Sequence, residues 1–192
     1  ITIGNQLGSA HIEVGEGLET KVNLIVGANS EEQVRAEQEK IRVAANLGVH
    51  TIIDLSTVRL REPLWRWGKD RFPDVAFGKV APILVAQENG GDVPPHLLWE
   101  EIRSSVADGA DYLTLDVVPE SIEDLRVASA RAFPTTSRQG GVLLKYMLRH
   151  SIANPYSAVM DDVLALFREY RVTMHIGSTF RPSGITEAVA RS

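Results

Sequence analysis

The sequence predicts an α/β protein built as an incomplete TIM-type (β/α)8 barrel. Short apolar runs rich in β-branched residues alternate with helical patterns, and this alternation is typical of parallel sheets. Polar residues follow the runs where each one ends, as they do at the mouth of a barrel. The 192 residues supply about six strand–helix units, whereas a closed barrel has eight and typically ~250 residues. We expect one domain over residues 1–192, in which 1–17 form a leading segment.

The strands are predicted from nearly continuous apolar runs, the pattern of strands buried on both faces. The carboxyl ends of barrel strands build the active site, so polar residues there are candidates for binding or chemistry. A parallel sheet that lacks its last strands also has two open edges, which invite pairing, and we therefore expect a homodimer. The strands are expected at residues 20–26, 50–56, 75–80, 111–118, a short run that ends at 137, and 172–177, with a further short strand at 10–14.

Helices are predicted between these runs from their start and stop signals. Residues 30–33, Ser-Glu-Glu-Gln, match a capping box, and the helix behind them should end at Gly48. Pro94-Pro95 should open another helix, because proline fits the first turn, and Gly109 should end it. The remaining helices are expected at residues 63–72, 121–132, 142–150, 157–170 and 185–190.

Residues 136–141, Thr-Ser-Arg-Gln-Gly-Gly, form a candidate anion-binding loop in front of an apolar helix. Glycine lets the backbone turn its N–H groups toward a ligand. A helix N-terminus adds positive partial charge and unpaired donors. Arg138 can bind a phosphate or carboxylate through two hydrogen bonds. The same residues also make an ordinary solvated loop, and taken alone they favour that interpretation.

Composition excludes several classes of function. A net charge of −5 without any run of Lys or Arg argues against a nucleic-acid partner. No apolar run reaches transmembrane length and no signal peptide is visible, so we expect a cytoplasmic protein without a membrane partner. The absence of cysteine excludes thiolate zinc sites, a cysteine nucleophile and iron–sulfur ligation within these residues. The five histidines show no metal-ligand spacing, so no metal site is predicted.

Five stretches carry a resemblance to a known family, in the same order along the chain. They are Thr20-Lys21-Val22-Asn23 with Gly27, Asp54-Leu55-Ser56-Thr57, Asp111-Tyr112-Leu113-Thr114, Ser137-Arg138-Gln139-Gly140-Gly141 and Gly177-Ser178-Thr179-Phe180-Arg181-Pro182. In this order they resemble motifs of the phosphomethylpyrimidine synthase (ThiC) family and of its 5-hydroxybenzimidazole-forming paralogues. The resemblance implies a (β/α)8 barrel, usually a homodimer. It also implies a thiamine-biosynthesis lyase that rearranges aminoimidazole ribonucleotide by radical S-adenosylmethionine chemistry.

The resemblance also implies a set of substrate-binding residues. Asn23 would contact the substrate, and Ser137, Arg138 and Gly140 would hold its phosphate. Arg181 would contact the substrate from the sixth strand, with Ser178 in place of the aspartate that the family has there.

Other positions depart from the family's pattern. Asp116 replaces a histidine, Ile53 a methionine and Leu84 a tyrosine, while Gln139 stands where the family has the first glycine of its loop. The last two barrel strands, with a glutamate and histidines that contact substrate and metal, are absent from these residues. The C-x-x-C-x-x-x-x-C motif is absent too, so the family's [4Fe–4S] cluster, which acts with S-adenosylmethionine, has no ligands here. We do not expect the family reaction from this chain alone.

Three functional hypotheses remain open. The first is a divergent relative or fragment of the family that binds a phosphorylated imidazole ribonucleotide. The second is a non-catalytic protein that binds or senses a phosphorylated small molecule. The third is a different reaction, with Asp116 and His175 as acid and base. Asp116 and Asp54 both end buried strands, where a carboxylate can be a general base or a metal ligand but also a cap for a neighbouring helix.

Overall fold

A five-stranded parallel sheet forms the centre of the molecule, with its strands in the order in which they occur along the chain. The computed structural model describes residues 1–126, 130–131, 133–181 and 184. The predicted α/β class and parallel sheet are confirmed, but closure of the sheet into a barrel is not seen within these described ranges. The strands are β1 (Thr2–Ile3), β2 (Ile12–Glu13), β3 (Asn23–Val26), β4 (Thr51–Asp54), β5 (Ala76–Lys79), β6 (Tyr112–Leu115) and β7 (Thr173–Ile176), of which β3 to β7 form the parallel sheet and β1 and β2 a separate antiparallel pair.

The prediction of a strand that ends at residue 137 is wrong for residues 133–137, the part of this segment that the structure describes without a gap. Residues 133–137 form no strand, and β6 pairs directly with β7, Tyr112 beside Thr173 and Leu115 beside Ile176. The cause is hydrogen bonding by a side chain, to one near neighbour and to one residue far along the chain. The Thr135 hydroxyl accepts from the backbone N–H of Ser137 at 3.0 Å and donates to the Thr179 carbonyl at 2.7 Å. Side chains therefore supply partners that a strand would find in a ladder.

Helices separate the strands largely as predicted. The helix at Pro82–Glu88, which follows β5, was not predicted. The helix predicted at 185–190 lies outside the described residues, and the helix predicted at 121–132 lies partly outside them. The α-helices are α1 (Val34–Asn46), α2 (Leu64–Arg71), α3 (Pro82–Glu88), α4 (Pro95–Ala107), α5 (Arg138–His150) and α6 (Met160–Tyr170), with short 3-10 helices at Glu31–Gln33 and Pro155–Ala158.

The predicted capping box at residues 30–33 is not formed. The Ser30 hydroxyl donates to the Glu32 carboxylate at 2.7 Å instead of accepting from a backbone N–H. The Gln33 side chain accepts from Asn29 N at 2.7 Å, one residue earlier than a capping box requires. A 3-10 turn therefore precedes α1, which ends as predicted before Gly48, whose φ of 82° suits glycine.

The two faces of the sheet have different surroundings. One face packs against the helices and carries the fully buried Ile52, Phe77, Leu113 and Leu115. Burial of each such side chain stabilises the fold by roughly 1.5–3 kcal/mol. The opposite face, which we call the open face, is mixed in polarity and only partly covered, since Ile53 and Tyr112 are buried on it whereas Asn23 and Ile25 are exposed. There the Tyr112 ring lies on Gly78, so close that a Cβ on that glycine would be 2.4 Å from ring atoms.

The leading segment covers the amino-terminal edge of the sheet. The buried Asn5 side chain donates to the carbonyls of Val106 at 3.2 Å and Ala110 at 2.9 Å. Lys69 and Asp111 form an ion pair at 2.6 Å beneath Gly8. None of the helices in the described ranges is long and apolar enough to span a membrane.

Candidate functional site

The candidate site lies at the carboxyl-terminal edge of the sheet, where the segment after β6 meets the start of α5. Ser137 is the N-cap of α5, and its hydroxyl accepts from Gly140 N at 3.0 Å. The same hydroxyl donates to Asp116 Oδ2 at 2.7 Å. Asp116 directly follows β6 and is 2% exposed, and its carbonyl accepts from the Asn154 side chain at 3.1 Å. The helix cap and a buried carboxylate thus share one hydroxyl group.

Two glycines let the surrounding segments approach one another closely. A Cβ on Gly140 would lie 2.6 Å from Thr179 Cγ2, and a Cβ on Gly177 would lie 1.6 Å from Asp116 Oδ1. The segment after β7 therefore packs directly on the first turn of α5 and on the Asp116 carboxylate. A side chain at either position would push these groups apart.

Arg138 is the first residue of α5 and is exposed to solvent. Its guanidinium forms neither a hydrogen bond nor an ion pair with any residue in the described ranges. Together with Lys145, two turns further along α5, it lines a cleft of about 670 Å³. Asn29 and Thr57, which follow β3 and β4, line the other side of the cleft. An uncommitted cation therefore faces a space that opens at the carboxyl edge.

Arg181 lies beside the loop that carries Ser137, but it is committed to protein contacts. Its Nε donates to the Thr136 hydroxyl and its Nη2 to the Thr136 carbonyl, both at 2.9 Å. Arg131 in turn donates to the Arg181 carbonyl at 2.6 Å. Ser178 is exposed, and its carbonyl accepts from Arg181 N at 3.4 Å. These contacts tie the segment after β7 to residue 136 and hold the loop in place.

Asn23 lies elsewhere, at the amino end of β3. Its Oδ1 accepts from the Thr51 hydroxyl at 2.8 Å and from the Tyr112 hydroxyl at 3.2 Å. Burial raises the pKa of Tyr112, which keeps the hydroxyl protonated as a donor. At about 3.3 Å per residue, Asn23 is about 10 Å from the carboxyl end of its own strand. The structure thus brings Asp116, Ser137, Arg138, Gly140 and Arg181 together, with Ser178 nearby, and leaves Asn23 on the open face.

Two further residues of the site were not predicted from the sequence to be buried or to contact a ligand. Gln139 and Thr179 are 4% and 2% exposed. The Gln139 side chain donates to the Thr114 carbonyl at 3.1 Å, but its Oε1 has no hydrogen-bond partner among the described residues, and neither has Thr179 Oγ1. A helical period that places residue 139 on the same face as Leu143 would have predicted the burial of Gln139. Unpaired buried polar atoms are rare and mark places where a ligand or water completes the hydrogen bonding.

The other strand-end candidates have structural or local roles. Asp54 accepts from Trp65 N at 3.2 Å, in the first turn of α2, and from the Ser56 N–H and hydroxyl at 2.9 and 2.6 Å. It is therefore a helix cap, the simpler of its two interpretations. His175 lies on the open face, where its Nδ1 is 2.9 Å from the Thr114 hydroxyl.

The residues present do not fit an iron–sulfur cluster. A [4Fe–4S] cluster is held by cysteine thiolates, and these 192 residues contain no cysteine. Within the part of the chain that the structure describes, no three His, Asp or Glu side chains are arranged to hold a metal ion. Thiolate ligands for a cluster would have to come from outside these residues.

Comparison with known proteins gives a consistent result. The model of the radical SAM ThiC family matches residues 1–192. The phosphomethylpyrimidine synthase of Ignicoccus hospitalis is 31% identical, over 92% of this chain and 42% of the relative. That of Thermus thermophilus is 32% identical over 93% of the chain and 42% of the relative, and that of Haloarcula marismortui 31% over 91% and 37%. The chain spans less than half the length of these relatives.

Proposed function

We propose, on the premise that the chain belongs to the radical SAM ThiC family, that these residues bind a phosphorylated, imidazole-ribonucleotide-like ligand. The relatives are named phosphomethylpyrimidine synthases, and their name denotes a phosphorylated heterocycle. The observation that carries the proposal is Arg138, a guanidinium on the first turn of α5 that has no partner among the described residues. It faces a cleft at the carboxyl edge, the edge at which parallel α/β folds bind their ligands.

The first turn of α5 supplies donors for the phosphate. Ser137 satisfies two of the four first-turn amides, since its hydroxyl accepts from Gly140 N and its carbonyl from Gly141 N at 2.9 Å. The N–H groups of Arg138 and Gln139 precede these two and have no acceptor within the helix. They point along the helix axis, where the dipole favours an anion. A phosphate held by these groups and by the Arg138 side chain would form charge-assisted hydrogen bonds, each contributing about 1.5–3 kcal/mol.

The proposal assigns binding and orientation to these residues and no catalytic step. Family chemistry uses an iron–sulfur cluster with S-adenosylmethionine, and the residues present offer no ligands for that cluster. Arg181 and Thr136 would hold the loop, and Arg138 would bind the phosphate. The remainder of the ligand would contact the side chains of Asn23 and His175 on the open face.

The proposal extends to the fold. β3 and β7 are the edge strands of the sheet in the described residues, and Ile25 on β3 is 60% exposed. An edge with unpaired backbone groups and an exposed isoleucine favours the addition of strands. We propose that further strands, from beyond these residues or from a second copy of the chain, close a (β/α)8 barrel around the open face.

A second candidate function is non-catalytic binding of a phosphorylated metabolite. The observation that favours it is the retention of Ser137, Arg138 and Gly140 beside a replaced residue, Asp116, where the family has a histidine. A sensor of phosphorylated sugars would bind ribose 5-phosphate as tightly as aminoimidazole ribonucleotide. A ligand site of the family type would bind the imidazole compound more tightly.

Isothermal titration calorimetry with aminoimidazole ribonucleotide, ribose 5-phosphate and inorganic phosphate tests both candidates. Arg138→Ala should weaken binding of all three about 10- to 100-fold, the loss of one charge-assisted pair. Arg149→Ala is the matched control, because Arg149 lies on the same helix but pairs with Asp92 at 2.7 Å, and it should leave binding unchanged. Absence of heat with every ligand, or equal binding by wild type and Arg138→Ala, would overturn the proposal.

A further inference from the structure

Asp116 places a buried negative charge beside the anion-binding turn of α5. Its Oδ2 accepts from the Ser137 hydroxyl at 2.7 Å, and that hydroxyl accepts from Gly140 N at 3.0 Å. The carboxylate is thus one hydroxyl group away from a first-turn amide. No Lys, Arg or His forms an ion pair with Asp116 in the ranges that the structure describes. The charge is therefore not neutralised by a neighbouring side chain.

The same contact removes a hydrogen-bond donor from the site. A serine hydroxyl has one hydrogen, and the hydrogen of Ser137 is directed to Asp116. The lone pairs of the hydroxyl accept from Gly140 N. In this arrangement Ser137 has no hydrogen to donate to a phosphate oxygen. Asp116 thus acts on an incoming anion in two ways, by repelling it and by occupying the nearest hydroxyl donor.

We propose that Asp116 is a specificity-determining residue that lowers the preference of this site for doubly charged anions over singly charged ones, relative to the same site without the carboxylate. The inference rests on the proposed anion site, and it adds how strongly that site discriminates between anions of different charge. Repulsion grows in proportion to the charge of the ligand. A phosphate monoester dianion is therefore penalised twice as much, in free energy, as a phosphate diester or a sulfate monoester of charge −1.

Packing keeps the carboxylate in this position. A Cβ on Gly177 would lie 1.6 Å from Asp116 Oδ1, so the backbone of the segment after β7 lies against one side of the carboxylate. The Ser137 hydroxyl holds the other oxygen, and the Asn154 side chain holds the Asp116 carbonyl at 3.1 Å. Because Asp116 is 2% exposed, water does little to screen its charge from an anion at the turn.

The experiment compares wild type with Asp116→Asn at one fixed pH of about 8, where phosphate monoesters are dianions because their second pKa is about 6. The probes are methyl phosphate, a dianion, and dimethyl phosphate, a monoanion of the same chemistry. We take the removed charge to lie roughly 8 Å from the bound anion, with an effective dielectric constant of about 20 or higher between them. Removal of one unit charge then changes the affinity by roughly 5- to 30-fold for each unit of charge on the ligand. Asp116→Asn should therefore tighten dimethyl phosphate binding roughly fivefold or more and methyl phosphate binding by about the square of that factor.

Asp54→Asn is the matched control. Asp54 is also a buried carboxylate at the end of a strand, but it faces α2, so its substitution removes the same charge at another place. It should leave both affinities unchanged. Asp116→Ser serves as a second, smaller replacement should the Asn variant fold poorly by circular dichroism, and it should shift the two affinities in the same direction.

The outcomes separate this inference from the proposed function. A larger gain for methyl phosphate than for dimethyl phosphate supports the inference. Equal affinities in wild type and Asp116→Asn, with binding that still depends on Arg138, overturn the inference and leave the proposed anion site standing. No binding of either probe by any variant overturns both.

Discussion

The two edges of the parallel sheet differ in how completely their buried polar groups are paired. At the amino-terminal edge, Asn5 donates to two carbonyls and Lys69 pairs with Asp111. The buried side-chain atoms that lack a partner among the described residues are Trp65 Nε1, Gln139 Oε1, Tyr156 OH and Thr179 Oγ1, and all four belong to segments that follow the carboxyl ends of strands.

This difference shows how the fold divides its tasks. Over the residues that the structure describes, the buried polar side chains of the amino-terminal edge find their partners within the chain, so that edge contributes stability without a ligand. The carboxyl-terminal edge combines unpaired buried atoms with Arg138, which has no partner in the described part of the chain, and buried unsatisfied atoms cost stability unless something binds to them. The same division between a stabilising and a functional edge is typical of parallel α/β barrels.

Asp111→Ala tests the amino-terminal edge and should have the largest effect on stability. It leaves Lys69, whose side chain is 15% exposed, without its partner and removes the acceptor of Phe77 N, which lies 2.8 Å from Asp111 Oδ2. Removal of one member of a buried pair typically costs about 3–5 kcal/mol. Urea denaturation should show this loss, and calorimetry should show unchanged phosphate affinity in the protein that remains folded.

A graded pair of variants completes that test. Asp111→Asn keeps an acceptor for Phe77 N and should lose less stability than Asp111→Ala. Asp108→Ala removes an exposed carboxylate that lies 3.4 Å from Arg66, and it should cost at most about 1 kcal/mol. If Asp111→Ala were as mild as Asp108→Ala, the amino-terminal edge would not be the stabilising one.

Glu101→Gln tests whether the contrast between the two edges extends to the part of the carboxyl-terminal edge that lies on the helix-covered face of the sheet. Glu101 on α4 pairs there with the buried Lys79, the last residue of β5, and with Arg59 at 2.9 Å. Burial alone would raise the pKa of Glu101, but the Lys79 charge and the hydrogen bonds from Lys79 and Arg59 outweigh it and lower the pKa. At neutral pH the substitution should cost about 1.5–3 kcal/mol, the value of charge-assisted hydrogen bonds.

The pH dependence follows from the direction of this shift. A carboxyl group whose pKa is lower in the folded state stabilises the protein above its unfolded pKa of about 4.3, and that contribution is lost as pH falls through the folded pKa. Urea midpoints measured from pH 7 down to 3 should therefore show the gap between wild type and Glu101→Gln narrowing in acid. A gap that stays constant or widens below pH 4 would contradict the assignment.

The sequence predicted well the features that depend on residues near one another in the chain. All five parallel strands coincide with predicted apolar runs, and Pro95 and Gly48 mark helix boundaries as expected. The loop at 136–141 does lie at the start of a helix, although α5 already begins at Arg138 and not at residue 142. Local signals are enough here, because capping and chain reversal are decided within a few residues.

The features that were missed depend on partners far away in the chain. A strand was predicted to end at residue 137. Instead, the Thr135 hydroxyl donates to the Thr179 carbonyl, and residues 133–137 do not pair with a strand. Asn23 was predicted to contact the same ligand as the loop, and the register of β3 places it at the amino end of the strand, away from the loop. The pairing of Ser137 with Asp116, 21 positions away, has no signature in the sequence. The chemistry of the site depends on these long-range contacts.

Ser137→Ala should have a smaller effect on stability than Asp111→Ala or Glu101→Gln, and it gives the finest test of the contrast between the edges. It removes the N-cap of α5, and loss of such a cap typically costs about 0.5–2 kcal/mol. Because the hydroxyl hydrogen is held by Asp116, the substitution should leave the affinity for methyl phosphate within about twofold in the wild-type background. In an Asp116→Ala background the hydroxyl has no acceptor at residue 116, and there Ser137→Ala should weaken methyl phosphate binding several-fold, about one hydrogen bond. Ser137→Thr keeps the cap and is the control for both backgrounds. A large loss of affinity in the wild-type background would show that Ser137 already donates to the anion and that Asp116 does not withhold its hydrogen.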